Sequence, residues 1–417
     1  MRVPHCRLFR GSKGPHLRRS RIFAIFPGPL ALAILLAGVS LAYGAHATQK
    51  ERLPRPRQLD SGITWKRDPA TGELRAIGKG GAGRDLPLGA APTASGAIRV
   101  VTEMVPVTCS VSTADGTPVP GLKAADFRVF EDGMEQHISY FDASTAPASV
   151  ALVLDASPSV LPDSEEMKLA ADALIDALAP LDQGAVVDFS AHTYLQTPFT
   201  DVREIIRRAV ARVDVRELLG DTGGSNIYEA VYLTARELFP GRTGRKAIVL
   251  LTDGEDSGLG LTLDPASESP GPGRTKDRLT FDDVARALAA EDIQIFAVST
   301  ENRPKVMTPE WLAGHRDVTL VTRDARRMRI PPYTLYLAEL VRRSGGQLDF
   351  LHEAKSVSDT FRKIAERIRT EYTLGYYPAQ SSAAPRTVGW HRLRVEAPGR
   401  ASLEVTHRAA YYIPASS

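Results

Sequence analysis

The chain has 417 residues, 43% of them hydrophobic and 24% charged, which is apolar material for a sizeable core and length for two or three domains. The formal net charge is only +3, and much of the basic excess sits in Arg2, Arg7, Arg10, Lys13, Arg18, Arg19 and Arg21. The body therefore lacks the charge of a nucleic-acid binder, and no aromatic-and-basic module pattern accompanies it. The two cysteines, Cys6 in that basic leader and Cys109 in the body, exclude an intrachain disulfide framework.

After the basic leader, residues 22–45 are apolar apart from Ser40 and the Tyr43 hydroxyl, and they run into the small-x-small pattern Ala45-His46-Ala47. Basic region, apolar region and small-residue exit are the parts of a secretory signal. The apolar run, ~24 residues, is also long enough to span a bilayer. Pro27 and Pro29 shorten its dependable helix to roughly 30–45. Residues 1–47 thus read as a signal peptide or an N-terminal anchor. Both alternatives leave the positive flank in the cytoplasm and export the body. The expected location is secreted, periplasmic or cell-envelope, with membrane contact only through this segment if it is uncleaved.

Residues 48–97 are rich in Gly, Pro, Arg and Ala and read as a flexible linker. Gly78-Lys79-Gly80-Gly81-Ala82-Gly83 lacks the Gly-Lys-Ser/Thr ending and the preceding strand of a phosphate loop. Residues 98–145 read as a small β unit: 105–111 alternates with period two, and 127–130 and 138–141 follow after turn signals. Pro106 places the first of these strands at a sheet edge or marks its start. Cys109, inside that alternation, reads as a buried small hydrophobe rather than a nucleophile.

From 148 to 370 short apolar runs (150–154, 185–189, 247–251, 293–298 and 347–351) alternate with helical stretches (165–179, 202–213, 227–239, 281–290, 335–343 and 358–369). That texture implies a doubly wound, mostly parallel α/β sheet covered on both faces. Segments 257–278 and 301–332 read as surface insertions. Residues 371–417 return to β texture at 372–377, 391–396 and 402–406. Together with the first β unit they suggest a small β-sandwich-like unit flanking the α/β domain, without deciding whether all the β segments form one sandwich.

The first parallel strand ends in Asp155-Ala156-Ser157-Pro158-Ser159, at the carboxyl end where open α/β sheets place ligand sites. A carboxylate and two hydroxyls in one loop suit a hard, oxygen-seeking divalent cation. Gly223-Gly224-Ser225-Asn226 supplies a further hydroxyl before a helix, and the strand 247–252 delivers Asp253-Gly254. In these three loops the chain resembles the von Willebrand factor A (VWA) family, specifically its VWFA-related proteins of acidobacterial type. The flanking segments Gly121–Phe127, Glu131-Asp132-Gly133 and Tyr372–Pro378 share the resemblance.

The resemblance implies a metal-ion-dependent adhesion site in which Ser157, Ser159 and Ser225 contact the ion directly, while Asp155 and Asp253 act largely through waters. Mg²⁺ is the implied cofactor, with Mn²⁺ or Ca²⁺ as alternatives, and one open position would take an acidic side chain from a partner protein. Ser225 stands where the family usually has Thr, and Thr222 is the alternative hydroxyl. The implied function is metal-dependent protein binding or adhesion at the cell envelope, with no nucleic acid and no catalytic residue. The alternatives are a structural envelope component whose loops are architectural, or a metal-dependent hydrolase. His-Glu-x-x-His, Gly-x-Ser-x-Gly and Cys-x-x-Cys are all absent, and the nine histidines show no zinc spacing and read as scattered surface residues. Asp253-Gly254-Glu255-Asp256 as a paired-carboxylate catalyst is the weaker reading of that loop.

Overall fold

The computed structural model describes residues 53–68, 74–78, 104–113, 116–143, 146–213, 224–256, 279–308, 311, 314–315, 329–351, 357–378, 387–400 and 402–413. The expected leader lies outside them. In chain order come β1 (Arg57–Gln58), β2 (Ile63–Arg67), β3 (Leu74–Gly78), β4 (Val105–Thr113), β5 (Arg128–Glu131), β6 (Met134–Gln136) and β7 (Ile138–Asp142). The α/β region follows as β8 (Ala148–Asp155), α1 (Ser164–Ala177), β9 (Gln183–Phe189), β10 (Thr193–Thr200), α2 (Arg203–Ala211), α3 (Ile227–Leu238) and β11 (Arg245–Thr252). It continues with α4 (Phe281–Glu291), β12 (Gln294–Ser299), α5 (Pro332–Ser344), β13 (Gln347–Phe350) and α6 (Val357–Arg369). Last come β14 (Glu371–Tyr376), β15 (Gly389–Glu396), β16 (Leu403–His407) and β17 (Ala410–Ile413).

The main sheet has the order β1-β10-β9-β8-β11-β12-β13. Its centre is parallel, and β10 and β1 add antiparallel strands at one side. Every residue of β8 and β12 is buried, because helices cover both faces. Alternate residues divide between two cores. Ala151, Val153, Ile248 and Leu250 face α3, α4 and α5, while Val150, Leu152, Leu154, Val249 and Leu251 face α1, α2 and α6. On α1 the buried Met167, Ala170, Ala171, Leu174 and Ile175 follow the i, i+3, i+4, i+7 spacing of a one-sided helix. The expected doubly wound sheet is thus the observed one.

Several helix ends are written in the sequence. Thr280 opens α4 with a capping box: its hydroxyl accepts from the Asp283 amide at 3.2 Å, and Asp283 accepts from the Thr280 amide at 2.8 Å. Pro332 starts α5, and Gly345, at φ 80°, closes it.

The linker expected over 48–97 is overturned where the structure describes it. β1 extends the main sheet, and β2 and β3 form a hairpin. Four apolar anchors among the glycines and prolines account for this: Leu59 and Leu74 are buried, and Ile63 and Trp65 pack against the same core. Trp65 meets Tyr232 edge-on with centroids 5.4 Å apart, and Arg67 pairs with both carboxylate oxygens of Asp283, at 3.0 and 2.7 Å. The glycine-rich run expected as flexible lies, beyond Gly78, outside the described residues.

Two four-stranded antiparallel sheets, β16-β4-β14-β7 and β17-β15-β5-β6, flank the α/β region. Each mixes strands from before and after that region, so the two chain segments build a common core of Val107, Cys109, Val129, Tyr372, Leu374, Leu393 and Val395. The Tyr372 hydroxyl clamps the incoming chain, donating to the Val119 carbonyl at 2.6 Å and accepting from the Leu122 amide at 3.2 Å. Pro106 marks the start of β4 and not a sheet edge: β14 pairs along it, while β16 pairs only from Cys109 onward.

Two expectations follow. A Cβ at Gly346, just before β13, would stand 1.7 Å from the Ile295 carbonyl oxygen. Gly346→Ala should therefore lose about 3 kcal/mol or more in urea unfolding, the upper end of overpacking costs. Cys109 is fully buried, and burial pushes its thiol well above the ordinary range. Peptide mapping should find Cys109 unmodified by iodoacetamide in the native protein and modified in guanidinium.

Candidate metal centre

Strands β8 and β11 are parallel neighbours with Leu154 opposite Leu251, so Asp155 and the pair Thr252-Asp253 leave the same edge of the sheet side by side. Beyond β8 the chain stays tied to β9, the Ala156 amide donating to the Phe189 carbonyl at 2.7 Å. Asp155 then turns its own loop: Oδ1 accepts from the Ser157 amide at 2.9 Å, an Asx turn. That turn brings the Ser157 and Ser159 hydroxyls to 3.0 Å from each other.

Ser225 arrives from a third loop. Gly224, at φ 57°, permits the bend, and Asn226 fixes its height. The Asn226 amide donates to the Ser190 carbonyl at 2.9 Å, and its side chain donates to the Ala191 carbonyl at 2.8 Å. Ser225 Oγ consequently donates to Asp155 Oδ2 at 3.3 Å. Asp253 accepts from the Glu255 amide at 2.8 Å, and Gly254, at φ 89°, allows that reversal.

The structure thus links Asp155, Ser157, Ser159 and Ser225 by hydrogen bonds and sets the Asp253 carboxylate close enough to act on Asp155 electrostatically. Asp155, Ser157, Ser225 and Asp253 are all buried, whereas Ser159 is exposed and marks the side open to solvent. Thr222, the alternative hydroxyl, lies outside the described residues.

Burial pushes the Asp155 carboxyl up to about 6, the Asp253 charge pushes the same way, and hydrogen bonds from Ser157 and Thr252 oppose them. No lysine or arginine figures among these largest influences. Two neighbouring buried carboxylates, Asp155 accepting from hydroxyls and Asp253 beside it, make an all-oxygen donor set that a divalent cation would neutralise, so the residues fit one.

Sequence reasoning missed Thr252. Its hydroxyl donates to Asp155 Oδ2 at 2.6 Å and accepts from the Gly254 amide at 3.0 Å, so it ties the two acidic loops together. The signal was present: Thr252 is a polar residue closing the otherwise apolar run Ala247–Leu251, and it is completely buried. A buried hydroxyl at a strand end requires partners.

The α/β region is a mostly parallel sheet with acid and hydroxyl loops at its carboxyl edge, and comparison with known proteins gives the family of that region. The family model described as "von Willebrand factor type A domain" matches residues 150–255, and the chain carries a VWA domain there. No curated protein matches the chain. Among solved structures, an aerotolerance-related membrane protein from Bacteroides fragilis is 17% identical, covers 53% of this chain and 98% of its own, and superposes with a TM-score of 0.35. BatB from Bacteroides thetaiotaomicron is 20% identical, with coverage of 53% and 98% and a TM-score of 0.36. Proximal thread matrix protein 1 from the mussel byssus, in a form described as having a zinc-occupied MIDAS motif, is 17% identical, with coverage of 57% and 49% and a TM-score of 0.36.

Thr252→Val keeps the shape and leaves the Gly254 amide and Asp155 Oδ2 each short of a partner. Urea unfolding should register a loss of about 1–3 kcal/mol.

Proposed function

We propose that the protein is an exported module that binds a partner protein through a divalent cation held by Asp155, Ser157, Ser159, Ser225 and Asp253. The observation that carries this reading is the buried Asp155 carboxylate, which accepts from the Ser225 and Thr252 hydroxyls beside a buried Asp253, with solvent access at Ser159. Hard oxygen donors favour Mg²⁺, with Mn²⁺ or Ca²⁺ as alternatives. When bound, the ion supplies an open coordination position for an acidic side chain of the partner. The chain's own residues do the positioning. Asp155 holds the Ser157 loop by its backbone, Thr252 and Ser225 hold Asp155, and Asn226 holds Ser225 against the end of β9. Export rests on residues 1–47, whose basic, apolar and small-residue segments make a secretory signal or an anchor.

A second reading has one observation in its favour. Asp155 already accepts hydrogen bonds from Ser157, Thr252 and Ser225, which would suffice if the loops served only to shape a structural component of the envelope.

Titration calorimetry separates the two. The wild-type chain should bind one Mg²⁺ or Mn²⁺, and Asp155→Ala should abolish that heat. Pull-down from envelope extract should lose the partner on adding EDTA and regain it with Mg²⁺. Equal binding of metal by wild type and variant, or a partner retained in EDTA, would favour the architectural reading.

A further inference from the structure

Among the described residues, the sandwich holds a group of side chains able to ligate a metal, on elements apart from the candidate centre at Asp155. Glu131 ends β5, Asp132 begins the turn after it, and His391 lies on β15, the strand paired with β5. One ligand atom from each falls within 4.8 Å of the others. His391 Nδ1 is 2.9 Å from Asp132 Oδ2 and 3.4 Å from Glu131 Oε1. Ligands around a tetrahedral zinc ion, each about 2.0–2.2 Å from the metal, are separated by about 3.3 Å. The spacing therefore already suits one face of such a site.

The other ring nitrogen of His391 is held independently of the two carboxylates. Its Nε2 is 2.9 Å from the Thr387 carbonyl oxygen, which only accepts, so this nitrogen carries a proton. Its Nδ1 faces the two carboxylates, Asp132 and Glu131. A cation set among the ring nitrogen and the two carboxylates would satisfy all three. A far ring N–H fixed by a backbone carbonyl is a usual support of a zinc-binding histidine.

Each ligand is also fixed in place. Glu131 Oε1 accepts from the Tyr411 hydroxyl at 2.7 Å, and Tyr411 stacks on the His391 ring with centroids 5.3 Å apart. Asp132 Oδ1 accepts from the Arg392 amide at 2.9 Å, leaving Oδ2 for His391. Its backbone adopts φ 48°, an uncommon conformation that Asp and Asn tolerate better than other non-glycine residues. Glu131 and His391 are buried while Asp132 is exposed, so an ion can enter from solvent and keep a water there.

We propose that Glu131, Asp132 and His391 form a second cation site, selective for Zn²⁺, which pins β5 to β15 inside the sandwich. Its nitrogen-and-carboxylate donor set differs from the all-oxygen set at Asp155, so the two sites differ in the metals they prefer. The expectation of scattered surface histidines fails here: His391 is buried, and it meets Asp132 across 259 positions of sequence, a pairing that local zinc spacing could not reveal.

The test uses the full chain, purified without a histidine tag and carrying Cys6→Ser and Asp155→Ala, so that neither the leader thiol nor the first site binds zinc. Equilibrium dialysis with metal analysis should find one Zn²⁺ per chain, not displaced by excess Mg²⁺, and the melting temperature should rise on zinc addition. Adding His391→Ala should abolish that zinc. Asp132→Asn, which tolerates the same backbone conformation, should weaken it by at least about tenfold without altering the far-ultraviolet spectrum. Should His391→Ala fail to fold, Asp132→Asn decides. Zinc absent from the Asp155→Ala chain, or bound equally by the Asp132→Asn protein, would overturn the proposal and leave an imidazolium paired with two carboxylates.

Discussion

The bond from the Thr252 hydroxyl to the Asp155 carboxylate, 2.6 Å long, is the contact on which the candidate metal centre depends. It joins the carboxyl ends of two neighbouring parallel strands, and a strand end is the stiffest platform an α/β sheet offers. Every other site residue is placed relative to it. The Ser157 turn hangs from the opposite oxygen of Asp155, and Ser225 reaches the same oxygen as Thr252. Asp253 is the next residue along from Thr252 itself. The constellation is thus assembled from three loops but referenced to one pair of strands.

Beneath that contact lies a division of labour by residue parity. Successive residues of β8 and β11 feed two separate cores, so these central strands are apolar on both sides and their site residues stand at the strand ends. The sandwich joins this layered body through polar contacts. Arg245 pairs with Glu371 at 3.3 Å, both largely buried, and Thr108 donates to Asp292 at 2.8 Å. Glu371 and Arg245 open β14 and β11, so these contacts lie at the amino end of the main sheet, opposite the candidate metal centre.

Much of this was legible from the sequence. Apolar runs such as 150–154 and 247–251 located the central strands, because a polar side chain in the middle of a strand covered on both faces needs a buried partner. The carboxylates and serines of the centre were legible as a joint pattern in three loops. What escaped had specific causes. β10 carries Gln196, Thr197 and Pro198, and its polar residues are buried against partners such as Asp188, which Gln196 reaches at 2.6 Å. Hydropathy does not register such satisfied pairs. The β2–β3 hairpin hid in linker-like composition because its stability comes from a few anchors, Trp65 and Arg67 among them, docking on a body far along the chain. Thr252 was overlooked because it is one polar residue at the end of an apolar run, and His391 because its carboxylate partners are distant in sequence.

The two-ended construction of the sandwich bears on how the molecule is made. β4 takes both its partners, β14 and β16, from beyond the α/β region, and Pro106 and Arg408, hydrogen-bonded in the finished protein, are 302 positions apart. During synthesis β4 is complete long before either neighbour emerges, so its two edges and its row of Val105, Val107, Cys109 and Val111 wait uncovered. The α/β region can close meanwhile on its own parallel strands. Closure of the sandwich therefore waits for β14 and β16, across a separation that reaches 302 positions between Pro106 and Arg408.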